Sequence, residues 1–120
     1  MRILLVEDDR SLSRAVSTIL QKNNYSVDCV ENGQTALDYL EKDIYDAVIM
    51  DIMMPVMDGL TATKAIRALN RPDAGIIPII AMTANAFAED VQLAKNTGMN
   101  GHIAKPLDMN KLNDVLENWL

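Results

Sequence analysis

The chain alternates between short apolar runs and amphipathic stripes with helical spacing. Apolar or alternating runs predict five strands, and these cover residues 3–6, 26–30, 47–50, 76–82 and 102–104. The run 47–50 is apolar throughout, which predicts a central strand, whereas 26–30 alternates polar and apolar side chains as an edge strand does. Pro78 cannot donate to a strand ladder, so we expect the fourth strand to begin close to it, at Ile76 or Ile77.

Apolar residues spaced three and four apart predict a helix after each strand. The stripes of the first, third and last helices consist of Leu12, Ala15, Val16, Ile19 and Leu20; of Ala62, Ala65, Ile66 and Leu69; and of Leu112, Val115, Leu116 and Trp119. Asp9 or Ser11 can cap the first helix, and Gly33 opens the second. The fourth helix, over 87–96, has the weakest stripe, so we expect it to be the mobile one, with its end at Gly98. Five strand–helix units predict an α/β fold with helices on both faces of a parallel sheet.

The composition fits a single domain over residues 1–120, with no output domain. Apolar residues make up 49% of the chain, which is enough for one ordinary core. The net charge of −6 argues against direct binding to nucleic acid and favours protein partners. No stretch approaches the ~20 apolar residues of a membrane span. The single cysteine, Cys29, is expected to be a buried thiol in a reducing compartment, so the cytoplasm is the predicted location.

Charged and hydroxyl side chains follow four of the predicted strands. Glu7 and Asp8 follow the first strand, Asp51 the third, Thr83 the fourth and Lys105 the fifth. The carboxyl ends of parallel strands meet at one edge of the sheet, where ligands bind, so these residues should share one rim. Three carboxylates gathered there would repel one another by roughly 4 kcal/mol per close pair unless a divalent cation and a lysine offset the charge. The pattern predicts a cation site.

Each of these residues also has a structural explanation. Asp51 alone could be a solvated loop carboxylate, and Thr83 and Lys105 alone could be ordinary surface groups. Asp9 is better explained as a helix cap than as a member of the site. The functional interpretation therefore depends on the set rather than on any one member.

Four segments, taken in order, resemble the receiver domains of two-component response regulators, the fold family of the chemotaxis regulator. They are the acidic pair after the first strand, residues 50–55 with Asp58-Gly59, residues 82–84, and Lys105-Pro106. The resemblance implies a flavodoxin-like, doubly wound α/β fold with a five-stranded parallel sheet in the order 2-1-3-4-5 and five helices. Residues 98–106, together with 82–86, are more similar to receivers of hybrid histidine kinases, and the first half is more similar to stand-alone or transcription-factor receivers.

The resemblance implies that Asp51 is the phospho-acceptor. It also implies Mg²⁺ bound by Asp8, Asp51 and the backbone carbonyl of Met53, with Glu7 acting through a metal-bound water. Lys105 would pair first with the acceptor carboxylate and then with a phosphoryl oxygen.

The same resemblance assigns residues that respond to phosphorylation and residues that set the lifetime of the phosphoryl group. Thr83 would offer its hydroxyl to the phosphoryl group, Ala84 would leave space for it, and His102 would turn inward in response, although His102 could also be an exposed strand residue with no switching role. Met53 and Asn85 would flank the path of an attacking water. Neither side chain is an acid or a base, so we expect slow self-hydrolysis.

These assignments imply a phosphorylation switch rather than a conventional enzyme. A histidine kinase or a histidine phosphotransfer protein would donate the phosphoryl group, and the surface of the fourth helix, fifth strand and fifth helix would change and meet an unknown downstream protein. The chain would be a monomer or a weak homodimer. The alternative is a degenerate receiver that acts only as a protein-binding module.

Two other protein classes fit less well. A flavodoxin-like redox carrier shares the fold, but the run Glu7-Asp8-Asp9 would repel a flavin phosphate. A phosphatase of the haloacid dehalogenase type would need a second aspartate two residues after its nucleophile, where this chain has Met53.

Overall fold

A five-stranded parallel sheet forms the centre of the molecule. The computed structural model describes residues 1–52, 54, 57–70, 72–83, 92, 95–104 and 109–119. The strands are β1 (Arg2–Val6), β2 (Ser26–Val30), β3 (Ala47–Asp51), β4 (Ile79–Thr83) and β5 (Gly101–Ala104). Their order is β2-β1-β3-β4-β5, which confirms the predicted topology. Every residue of β3 and β4 is buried, as expected of central strands covered on both faces.

Helices cover both faces of the sheet. They are α1 (Arg10–Lys22), α2 (Gly33–Lys42), α3 (Gly59–Arg67) and a C-terminal helix (Met109–Trp119). One face carries α2 and α3, through Leu37, Leu40 and Ile66, in a cluster with Val48 and Met50 of β3. The other face packs Val16 and Leu20 of α1 and Leu112 and Leu116 of the C-terminal helix against alternate strand residues. This two-sided core is the doubly wound arrangement that the alternating pattern predicts.

A side-chain cap fixes the start of each of the first three helices. Asp9 caps α1, Asn32 caps α2 and Asp58 caps α3, and each accepts hydrogen bonds from backbone amides of the first turn. The caps of α1 and α2 lie three and two residues beyond the ends of β1 and β2, so they fix where these two helices begin relative to that edge of the sheet. The prediction for Asp9 is therefore confirmed.

The predicted fourth helix lies largely outside the described residues. Gln92 and residues 95–97 have helical conformation, and Gln92 Nε2 donates to Asn96 Oδ1 at 2.9 Å. Gly98 has a φ of 111°, a conformation that favours glycine, so the helix ends where the sequence predicts.

Three local predictions were wrong. Ala15 is exposed and Ser13 is buried in its place, because the inward face of α1 follows positions 13, 16 and 20. Cys29 is exposed, since β2 is an edge strand that helices cover incompletely. The fourth strand begins at Ile79, after Pro78, and the side chain of Ile76 is 76% exposed.

No helical segment of the described chain has the length and apolar character needed to cross a bilayer.

Candidate functional site

Three carboxylates converge at the carboxyl ends of β1 and β3. The two strands are neighbours in register, with Val6 paired to Met50, so the residues that follow them reach the same level of the sheet. Asp51 is the last residue of β3, while Glu7 and Asp8 follow β1 directly. One carboxylate oxygen from each of Glu7, Asp8 and Asp51 lies within 4.8 Å of the other two. The structure thus brings the predicted acidic set together.

The three carboxylates differ in burial, so the site has a buried side and a side that is open to solvent. Glu7 is 1% exposed and Asp51 is 3% exposed, whereas Asp8 is open to solvent. Two carboxylates form a buried floor and the third lies at the mouth. Like charges this close together repel one another, so this arrangement favours a cation at the site.

The donor set fits Mg²⁺. The ion prefers octahedral oxygen ligands at about 2.0–2.1 Å, which places ligand oxygens about 3 to 4 Å apart. Oxygens that already lie within 4.8 Å of one another can reach this arrangement with small side-chain adjustments. Because the three residues offer only oxygens, they suit a hard cation rather than a soft one.

Backbone hydrogen bonds hold Glu7 between two strand ends. Its amide donates to the carbonyl oxygen of Val30 at 3.0 Å, and its Oε1 accepts from the amide of Asp9 at 3.2 Å. The first bond ties the exit of β1 to the exit of β2. The second turns the carboxylate back toward the cap of α1. The floor of the site is therefore fixed by neighbouring backbone.

The start of α3 presses against the backbone of Asp51. The amide of Gly59 donates to the carbonyl oxygen of Ile52 at 2.9 Å. The amide of Ile52 in turn donates to the carbonyl oxygen of Met82 at 3.1 Å. A Cβ at Gly59 would collide with the carbonyl oxygen of Asp51. In the sequence, Gly59 was notable only as part of the Asp58-Gly59 segment. The structure shows that glycine permits this close approach and is the first residue of the helix.

Thr83 ends β4 beside this group. The pairing of Asp51 with Met82 places Thr83 one residue further along the neighbouring strand. The residue is 3% exposed, and no described residue forms a hydrogen bond with its Oγ1. Leaving a buried hydroxyl without a partner costs about 1–3 kcal/mol, so the position suits a hydroxyl that a ligand oxygen completes.

His102 lies in the edge strand β5 and is exposed. It pairs in register with Ala81, so its side chain leaves the sheet on the face that carries α2 and α3. Trp119 is 43% exposed, and a Cβ at Gly101 would lie 3.1 Å from its Nε1. The indole of Trp119 therefore lies against β5 at the end of the C-terminal helix.

Four predicted site residues lie outside the described part of the chain: Met53, Ala84, Asn85 and Lys105. Their assigned roles remain predictions.

Comparisons with known proteins give the same family as the sequence resemblance. The family model of the response regulator receiver domain matches residues 3–117. The yeast transcription factor SKN7 from Saccharomyces cerevisiae is 40% identical over 118 residues, which cover 98% of this chain and 18% of that protein. The chain spans only 5% of hybrid signal transduction histidine kinase M of Dictyostelium discoideum and 48% of the transcriptional regulatory protein DltR of Streptococcus agalactiae, both of which it also matches.

Two solved structures are similar over nearly the whole chain. The chemotaxis response regulator CheY4 of Vibrio cholerae is 32% identical with a TM-score of 0.92, over 99% of this chain and 98% of that one. The receiver domain of the sensor histidine kinase PA1611 from Pseudomonas aeruginosa is 38% identical with a TM-score of 0.89, over 98% and 95%. That structure has a magnesium ion coordinated in its active site cleft. The chain belongs to the response regulator receiver domain family of two-component signalling.

Proposed function

We propose that this chain is a phosphorylation switch in which Asp51 accepts a phosphoryl group from a phosphohistidine. The observation that carries the proposal is the convergence of Glu7, Asp8 and Asp51 within 4.8 Å beneath an exposed mouth. The buried acceptor offers an oxygen, and the exposed side of the cluster, at Asp8, admits a partner protein. A degenerate receiver has no need of this acidic set.

The transfer exchanges one bond for another. A carboxylate oxygen of Asp51 attacks the phosphorus, the phosphorus–nitrogen bond to the histidine breaks, and the released electron pair returns to the imidazole, which then takes up a proton. Asp8, Asp51 and the Met53 carbonyl would hold Mg²⁺, with Glu7 acting through a water, and the bound ion would offset charge on the phosphoryl oxygens. Lys105 would contribute a second positive charge.

The new dianion has a hydroxyl to recruit. Thr83 Oγ1, buried at the end of β4, would donate to a phosphoryl oxygen, and Ala84 would leave room for that approach. Movement of Thr83 would draw His102 inward and alter the surface of the fourth helix, β5 and the C-terminal helix. A histidine kinase or a histidine phosphotransfer protein is the proposed donor, and the altered surface is the proposed contact for a downstream protein.

Phosphorylation by acetyl phosphate, measured by intact mass, tests this proposal. With Mg²⁺ the wild-type protein should gain one phosphoryl group, and Asp51→Asn should gain none. Asp58→Asn is the matched control, because asparagine also caps helices and the position lies outside the acidic set. Equal uptake by wild type and Asp51→Asn would contradict the proposal.

We also propose that the phosphoryl group is long-lived, because neither Met53 nor Asn85 can activate a water by acid or base catalysis. Met53→Asn should shorten the lifetime, since an amide can position a water by hydrogen bonding. The measurement is the decay of phosphorylated protein in buffer with Mg²⁺. Decay of the wild-type form within seconds would contradict the idea.

A further inference from the structure

We propose that Gly33, the first residue of α2, is a positioning residue that sets the spacing of the acidic cluster. This inference rests on the proposed function, because it concerns the metal affinity of the same site. Gly33 is buried and lies outside the acidic set. Its importance comes from what surrounds its missing side chain.

A side chain at position 33 has no room. A Cβ there would lie 2.8 Å from the carbonyl oxygen of Met57, 2.9 Å from the Cβ of Ala62 and 3.0 Å from the Cγ of Met57. The Met57 side chain could turn away. The other two atoms belong to the backbone and to a β-carbon, so relief requires one segment to move relative to the other.

Both segments are tied to the site. On one side, Asn32 Oδ1 caps α2 through the amide of Thr35 at 2.9 Å, which fixes where Gly33 lies. Two residues before Asn32, the carbonyl oxygen of Val30 accepts from the amide of Glu7 at 3.0 Å. The start of α2 is therefore connected to the backbone of Glu7 by one short run of chain and one hydrogen bond.

On the other side, Met57 lies two residues before Gly59. The amide of Gly59 donates to the carbonyl oxygen of Ile52 at 2.9 Å, and Asp58 Oδ1 accepts from the amide of Thr61 at 2.7 Å. Gly59 also presses against the carbonyl oxygen of Asp51. A displacement of Met57 thus reaches the acceptor backbone through few intermediates.

A methyl group at position 33 would act as a wedge between a segment tied to Glu7 and a segment tied to Asp51. Because Mg²⁺ demands near-ideal octahedral geometry, small changes in carboxylate spacing weaken its binding. Changes to groups that orient metal ligands typically alter affinity by about 10-fold to 100-fold.

The test compares Gly33→Ala with Gly75→Ala. The control adds the same methyl group where no atom lies within 4 Å of the new Cβ. Calorimetric titration should show the dissociation constant for Mg²⁺ rising by about 10-fold or more in Gly33→Ala and by less than about 2-fold in Gly75→Ala. In the metal-free protein, the amide resonances of Ile52 and Gly59 should shift in Gly33→Ala alone.

A purely structural role predicts a different result. If Gly33→Ala loses stability to urea but binds Mg²⁺ within about 2-fold of wild type, the proposal is overturned, since a positioning residue must change affinity. If wild type itself ignores Mg²⁺, or if Asp51→Asn still accepts phosphate, the proposed function fails instead.

Wild-type protein supplies a readout should the variant not fold. Coupling between two sites is reciprocal, so Mg²⁺ binding should shift the Gly33 amide resonance at the same concentrations that shift Asp51. A Gly33 resonance that does not move during the titration would overturn the proposal.

Discussion

At the scale of single residues, two buried threonines differ in the hydrogen bonding of their hydroxyl groups, and this difference determines their expected roles. Thr63 Oγ1 donates to the carbonyl oxygen of Gly59 at 2.7 Å, whereas no described residue bonds Thr83 Oγ1. Both side chains are almost completely buried, at 0% and 3% exposure. A hydroxyl that contributes little to stability, placed beside an acidic cluster, is better explained by binding than by folding.

Replacing each threonine by valine tests this difference. Thr63→Val should lower the free energy of unfolding by about 1 kcal/mol, because it removes the hydrogen bond that the buried Thr63 hydroxyl makes to the carbonyl oxygen of Gly59. Thr83→Val should leave stability unchanged or raise it slightly. Urea unfolding monitored by Trp119 fluorescence measures both.

The response to beryllofluoride with Mg²⁺ should show the reverse pattern, with the larger effect in Thr83→Val. Thr83→Val should lose most of the spectral change that wild type shows, while Thr63→Val should keep it. A large stability loss in Thr83→Val with a normal response would contradict the assigned role.

At the scale of secondary structure elements, Arg67 joins α3 to the segments that precede β4 and β5, at the end of the sheet away from the acidic cluster. Its guanidinium donates to the carbonyl oxygens of Ala74, Ile77 and Gly98 at 2.8–3.1 Å and to Asn100 Oδ1 at 2.8 Å. Burial lowers the pKa of the guanidinium, but arginine remains charged over the working range. One cation thereby holds the end of α3, the start of β4 and the turn before β5.

Arg67→Met should lower the free energy of unfolding by about 3 kcal/mol or more, because several part-buried acceptors lose their donor at once. Lysine at this position should recover only part of the lost stability, since an ammonium group cannot reproduce the planar set of N–H donors of the guanidinium. Arg14→Met, on the exposed face of α1, is the matched control and should change stability by less than about 0.5 kcal/mol. Chemical denaturation of the three variants provides the measurement. Equal losses in Arg67→Met and Arg14→Met would contradict the structural role.

A second link connects β1, β2 and the segment before β3. The hydroxyl of Tyr45 donates to Asp28 Oδ2 at 2.6 Å, and Arg2 approaches the same oxygen at 3.0 Å. The Tyr45 bond, followed by Arg2, lowers the pKa of Asp28 below its ordinary value, and burial with the same bond raises the pKa of Tyr45. The Asp28 contribution to stability is present above its unfolded pKa of about 4 and is lost as pH falls through the lower folded value.

Tyr45→Phe should therefore cost about 1 kcal/mol at neutral pH and progressively less below about pH 4. In the variant, the pKa of Asp28 should move back toward its ordinary range. Tyr39→Phe, at an exposed position of α2, should be nearly neutral at every pH. Unfolding free energies measured across the acid range decide the point. A difference between Tyr45→Phe and wild type that stays constant down to low pH would contradict it.

At the scale of the whole molecule, the hydrophobic pattern sufficed for the sheet and its layers. The uniformly apolar runs gave the central strands and the alternating run gave the edge, because burial on one or two faces leaves that signature. The pattern could not show that Cys29 is exposed, since coverage of an edge strand depends on how far neighbouring helices extend over it. The same limit applies to Ser13 and Ala15, whose burial depends on the rotation of α1.

The chemistry of the site was predictable to a similar degree. Strand ends placed Glu7, Asp8 and Asp51 on one rim, and topology made them neighbours. The contacts of Gly33 and Gly59 were not predictable, because a missing side chain shows its importance only when the opposing backbone is known. Arg67 resembled any surface arginine until its four acceptors, drawn from distant parts of the chain, were brought together by the fold.

The proposed switch must also satisfy an energetic requirement. Moving a two-state protein from 1% to 99% active takes about 5.5 kcal/mol of differential stabilisation. Charge-assisted hydrogen bonds from Thr83 and Lys105 to a phosphoryl dianion contribute about 1.5–3 kcal/mol each, so together they are of the right size.

Mapping the phosphoryl group to a peptide tests the central claim most directly. The protein is incubated with acetyl phosphate, with Mg²⁺ or with a chelator, and then digested for mass analysis. We expect one phosphoryl group, on the peptide that contains Asp51, and only when Mg²⁺ is present. A phosphoryl group on another residue, or equal labelling of Asp51 in the presence of chelator, would contradict the account.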